Sequence, residues 1–252
     1  MRLTTPATAP EFSRFPKLGL MSALALSLLP GAAAFGVALA IAPLIEQVSL
    51  PPGFAVPVAF AAVLMPVELT ILFRAARLAD EGGTLTSITS FRAPIGRRWW
   101  LVPTLFVFAL VVAIAWNAVA TGAWGVFNSI LPHWLAPDAD PLDYASRGAV
   151  IATAVVTLVI DGILNPIVEE YYFRGFLLPR LPFSPSPAII TSAALFTLQH
   201  FWQPYNWPLI FVLEVVLTTA VVRTRSLRLG IACHVLANTF GAALALASVL
   251  AS

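Results

Sequence analysis

The chain alternates long stretches free of charge with short segments that concentrate it. No acidic or basic side chain falls in 18–45, 47–67, 99–137, 148–160, 181–213 or 229–252. A spanning helix needs about 20 mostly apolar residues. The gaps therefore predict seven helices, at 19–44, 50–73, 99–121, 148–174, 187–202, 207–223 and 229–250. The gap 181–213 holds two of them and divides at Trp202-Gln203-Pro204-Tyr205-Asn206-Trp207-Pro208. With room for an eighth pass, the expected fold class is all-α: a polytopic membrane helix bundle of about seven to eight transmembrane helices. Residues 1–252 form a single integral membrane domain, with no repeat or soluble second domain visible.

Composition narrows the function classes. Hydrophobic residues make up 59% and charged residues 10% of the 252 positions, whereas soluble domains carry about 25% charge. That excludes a soluble enzyme, a disordered chain and a nucleic-acid binder, so the net charge of +2 reflects arginines beside a membrane. A single cysteine, Cys233, excludes an internal disulfide framework and any CxxC module.

Lys and Arg set the orientation. Arg2, Arg14 and Lys17 precede the first helix, and Arg74, Arg77, Arg92, Arg97 and Arg98 follow the second. Arg174 and Arg180 follow the fourth, and Arg223, Arg225 and Arg228 follow the sixth. A cytoplasmic N-terminus puts all of these inside and leaves Arg147 outside, among Asp138, Asp140 and Asp143. The start resembles a signal peptide with Gly31-Ala32-Ala33-Ala34 as a cleavage site, but its uncharged run of 28 residues (18–45) exceeds the usual apolar region of about 7–15. It is expected to remain as the first span. Trp99-Trp100 and the Trp202–Trp207 cluster suggest interfacial belts, and Gly82-Gly83 with Pro94 suggests an irregular 74–98 loop.

Ionisable residues within spans are rare because each costs about 2.5–3.5 kcal/mol on insertion scales, which makes each a functional candidate. Here they are Glu68, Asp161, Glu169, Glu170, Arg174, Glu214, His200 and His234. On a helix Glu170 and Arg174 stand four apart and can pair. Glu169 turns about 100° away from that pair, free to act as a general base. Phe196 and His200 lie one turn apart, as do His234 and Asn238. Each pair alone reads as interhelical glue; together they converge on one polar site. Two chemistries fit. Glu169, His200 and His234 could hold zinc with a position left open for water. Alternatively Glu169 and His200 could deprotonate a water while His234 and Asn238 donate to the oxyanion of a tetrahedral intermediate. Both describe hydrolysis of an acyl bond within the membrane. There is no HExxH, no Gly-x-Gly-Asp around Asp161 and no Gly-x-Ser-Gly.

Glu169-Glu170-Tyr-Tyr-Phe-Arg174, Phe196-Thr-Leu-Gln-His200 and His234-Val-Leu-Ala-Asn238 resemble, in order, the three motifs of the CAAX protease and bacteriocin-processing (CPBP, or Abi) family. The resemblance covers about 150–242, the expected catalytic core; the first 145 residues fit as generic spans. It implies an intramembrane endopeptidase whose helical bundle opens a conical cavity to the cytosolic leaflet. Glu169 and His200 would activate water, His234 and Asn238 would form the oxyanion hole, and Glu170, Arg174 and Phe196 would support them. The family's glutamate mechanism implies no metal or other cofactor, with zinc on Glu169, His200 and His234 as the alternative. The implied partners are the lipid bilayer and a membrane-associated peptide or lipidated protein substrate. Thirteen arginines against one lysine suggest a high-GC bacterial genome, which weighs against a CaaX substrate. Two other readings compete: a non-catalytic immunity or scaffold protein of the same fold, and a transporter with Glu68, Asp161 and Glu214 as a proton relay.

Overall fold

A computed structural model describes residues 12, 14–79 and 83–251; Arg2 of the basic tail and Gly82 of the 74–98 loop lie outside the described residues. Six of its helices are long and apolar enough to cross a membrane: α1 (Leu20–Gln47), α2 (Pro52–Leu78), α3 (Gly96–Ala120), α5 (Arg147–Arg180), α7 (Pro204–Thr224) and α8 (Leu227–Ala251). Between them lie the short α4 (Trp124–Ile130) and the 15-residue α6 (Pro185–Gln199). The protein is an all-helical, polytopic membrane bundle. The helix expected at 187–202 is α6; it ends at Gln199 because the His200 backbone leaves helical geometry at ψ 59°. At 1.5 Å per residue α6 extends about 22 Å, less than the roughly 30 Å hydrocarbon core.

Lipid is as apolar as leucine, so helices associate through close packing of small side chains. The buried stripe of α1 follows that rule: Ala23, Ser27, Pro30, Gly31, Ala34, Ala38 and Ala42. Gly31 is required there, since a Cβ would stand 2.8 Å from both Gln199 Cγ and Gln199 O of α6. Large apolar residues such as Val107, Val111, Ile114 and Val119 of α3 face outward. Within the bundle α6 packs between α1 and α7, and α8 packs on α5 and α3.

Prolines shape the helices that carry the charged residues. The turns Phe60–Leu64, Ile160–Leu164 and Glu170–Leu177 are π-helical, and each ends two residues before a proline: Pro66, Pro166 and Pro179. A proline has no N–H to give and its ring crowds the carbonyl four residues back; a widened turn relieves that crowding and strands carbonyls. In α5 the stranded carbonyls are claimed by α8. Asn238 Nδ2 donates to Asp161 O at 3.1 Å, and Thr239 Oγ1 donates to Gly162 O at 3.0 Å.

The 83–95 segment is better packed than its composition suggested. Ile88 and Phe91 are buried in the main apolar cluster with Leu72, Tyr172 and Phe173. Its end is pinned to the α7–α8 turn by Leu227 N donating to Phe91 O and Ala93 N donating to Arg225 O.

Candidate active site

The site forms where α5 passes from an α-helical stretch ending at Glu169 into the π turn beginning at Glu170. Glu169 is 1% exposed, and Glu170 and Arg174 are fully buried. Arg174 pairs with Glu170 across one turn, as the spacing predicted, and its second Nη binds Glu214 of α7. Nε of the same guanidinium donates to Thr218 Oγ1 at 3.2 Å, and the cation sits 5.5 Å above the Phe196 ring. One arginine thus compensates two carboxylates inside the bundle. Sequence reading assigned Glu214 to a possible relay and missed this role. The signal was present, since no other charged residue lies between Arg180 and Arg223.

His234 of α8 meets both glutamates. Its Nδ1 lies 3.0 Å from Glu170 Oε1, and its Nε2 lies 3.8 Å from Glu169 Oε2. The expected divergence of Glu169 from the Glu170 pair is therefore partial: the two carboxylates reach opposite nitrogens of one ring. Such an approach needs a small residue on α8, and Gly230 supplies it. A Cβ there would overlap the Glu170 carboxylate.

His200 caps α6. Its Nδ1 lies 2.8 Å from Phe196 O. A carbonyl only accepts, so Nδ1 carries the proton and Nε2 keeps the lone pair. The Trp202 ring packs 4.8 Å from the imidazole, and Trp207 Nε1 donates to His200 O at 2.9 Å. For Trp202 this replaces the interfacial-belt expectation. Trp202 is 8% exposed and packs on Phe60, because holding the helix end that bears His200 requires it inside. Trp99 and Trp100 are exposed, as belt residues are.

Phe196 ties the two histidines together, its ring 4.7 Å from that of His200 and 5.9 Å from that of His234. A cavity of about 160 Å³ opens beside them, lined by Phe196, His200, Glu214, Cys233, His234 and Asn238, with apolar residues of α3 as its far wall. Glu169 is not on that lining; its Oε2 reaches the cavity-lining His234 at Nε2. Asn238 is exposed at the cavity edge and spends one N–H on Asp161 O, leaving a second donor on the same nitrogen.

Asp161 does not extend this cavity. It lines a separate one of about 850 Å³ with Asp138, Asp140 and Tyr144. Eight residues of helix put it about 12 Å along α5 from Glu169. Among the described residues no group of three or more His, Cys, Asp and Glu side chains is arranged to hold a metal ion. Cys233 lines the cavity, but its thiol is not hydrogen-bonded to His234, its neighbour in sequence.

No curated protein sequence and no solved structure matches the chain significantly. A family model does, over residues 151–240. That stretch holds the π turns of α5, all of α6 and α7, and the His234–Asn238 turn of α8. The site-bearing part of this membrane protein thereby matches the Rce1-like family, described as type II CAAX prenyl endopeptidase Rce1-like, in agreement with the CPBP resemblance of its three motifs.

Proposed function

We propose that the protein is an intramembrane endopeptidase that cleaves a peptide bond in a membrane-associated, lipid-anchored substrate. The observation that carries the reading is the arrangement around Phe196: a histidine with an available Nε2 and a histidine flanked by two glutamates, both on one cavity. Glu169 takes a proton from a water oriented by His200, and the resulting hydroxide attacks the scissile carbonyl. The carbonyl oxygen becomes an oxyanion, which His234 (through Nε2 when that nitrogen carries hydrogen) and the second N–H of Asn238 stabilise. Collapse of the intermediate breaks the C–N bond, and Glu169 returns its proton to the leaving amine. Glu170, Arg174 and Glu214 hold His234 and α5 in register.

No step in this scheme runs through a metal. His234 Nδ1 is engaged by Glu170 and His200 Nδ1 by Phe196 O, which leaves Nε2 of each ring for the reacting groups. In the proposed topology the N-terminus is cytoplasmic and the site faces the cytosolic leaflet, which the Lys and Arg distribution supports.

The test is cleavage of a quenched prenylated peptide, and of its unprenylated twin, by protein purified in detergent. Turnover of the prenylated peptide that is lost in both Glu169→Gln and His200→Ala supports the proposal. Equal turnover in Glu169→Gln removes it.

A further inference from the structure

The larger of the two cavities lies outside the site described above. It measures about 850 Å³, within the range of about 300–1,000 Å³ usual for small-molecule sites. One wall is a stripe of α5 with Thr153, Thr157 and Asp161 at successive turns, and Ala242, Ala245 and Ser248 of α8 form another. Prolines at the start of α2 close the remaining side, with Trp134 and Tyr144 of the segment after α4. Asp138 and Asp140 of that segment are exposed and mark the mouth. Asp161 marks the floor: it lies roughly 20 Å along α5 from Arg147, where the helix begins.

The chemistry of this lining is one-sided. Among the described residues, no Lys, Arg or His lines the cavity, and Arg147 at the head of α5 is engaged with Leu250 O of α8. The hydroxyls have committed their hydrogens to their own helices: Thr153 Oγ1 donates to Val150 O at 3.0 Å, Thr157 Oγ1 to Thr153 O at 2.9 Å and Ser248 Oγ to Ala245 O at 2.7 Å. What these side chains offer the cavity is therefore lone pairs alone. Asp161 Oδ1 is buried and has no hydrogen-bond partner. An ionisable side chain at such depth in a span marks a functional site that needs a partner, and the helices around it bring no cation. A metal ion does not fit, because no group of three or more His, Cys, Asp and Glu among the described residues is arranged to hold one. An ammonium does fit. It brings three donors and no acceptor, and aromatic faces such as those of Trp134 and Tyr144 attract cations.

We propose that this cavity binds an organic amine: its ammonium group pairs with the Asp161 carboxylate and donates to the hydroxyl oxygens of α5, and its apolar body lies along the aromatic and proline wall toward the mouth. In the topology proposed above, that mouth opens on the extracytoplasmic side, so the amine enters without passing His200 and His234. The inference does not depend on the protease reading. Asn238, which lines the other cavity, donates to the main-chain O of Asp161, so the Asp161 side chain can be exchanged with that contact intact.

The test is titration calorimetry of hexylammonium chloride into the full-length protein in phosphatidylcholine nanodiscs, with empty nanodiscs as the blank. Hexanol and hexanoate serve as the neutral and anionic counterparts. The expected result is saturable binding of hexylammonium alone, with a Kd at least about ten-fold weaker in Asp161→Asn, since a charge-assisted hydrogen bond is lost. Heats no larger than those of empty nanodiscs, or a wild-type Kd in Asp161→Asn, overturn the proposal. Hexanol binding as tightly as hexylammonium overturns the pairing with the carboxylate. If Asp161→Asn fails to fold, Ala245→Phe decides: it keeps the carboxylate and fills the opposite wall, so weakened binding supports the cavity as the site and wild-type affinity overturns it.

Discussion

Arg174 and Glu214, 40 residues apart in the chain, form an ion pair inside the bundle, and the same guanidinium binds Glu170. Removing one partner of a buried pair strands the other's charge, at about 3–5 kcal/mol. Glu214→Ala and Glu170→Ala should each lower the thermal unfolding temperature in detergent, with yield falling in parallel. Arg174→Met combined with Glu214→Ala should cost less than the two losses added, because the pair is removed as a unit. Additive losses in a double-mutant cycle would show that the pair is not coupled.

Gly230 lies where α8 meets the Glu170 carboxylate. Gly230→Ala inserts a methyl group into that contact, and overpacking of this kind costs about 1–3 kcal/mol. The displaced Glu170 also lets go of His234 Nδ1, so activity should fall along with stability. Melting and turnover measured on one preparation check this; an unchanged melting temperature contradicts the close contact.

Asn238 and Asp161 separate by role. Asn238 donates from its side chain, while Asp161 accepts through its main chain. Asn238→Asp removes the proposed oxyanion donor and should lower kcat about 10²–10³-fold. Asp161→Asn keeps the accepting carbonyl and should leave kcat close to wild type. Comparable losses in the two variants would place Asp161 in the chemistry.

Glutamate-driven hydrolysis predicts that turnover survives dialysis against EDTA and phenanthroline. Zinc would instead lower the pKa of its bound water to about 7, so chelation would abolish turnover and added metal would restore it. Elemental analysis of the purified protein accompanies the assay, and stoichiometric zinc with loss on chelation would overturn the metal-free scheme.

What the chain sequence determined by itself is what local rules govern. Charge-free runs such as 99–137 set the spans, because lipid solvates no charge and each helix satisfies its own backbone. The Glu170–Arg174 pair was readable because four residues make one turn, and the three motifs marked the helices that carry the site. The tertiary structure decided the rest. A lone Glu214 in an apolar helix shows that a partner exists but not which helix brings it; Arg174 of α5 is supplied by packing. The inward turn of Trp202, and the divergence of Asp161 into a different cavity from His234, likewise depend on where α6 ends and how far α5 runs. Helix ends and interhelical register are set by contacts between residues distant in sequence, and no periodicity along a single helix encodes them.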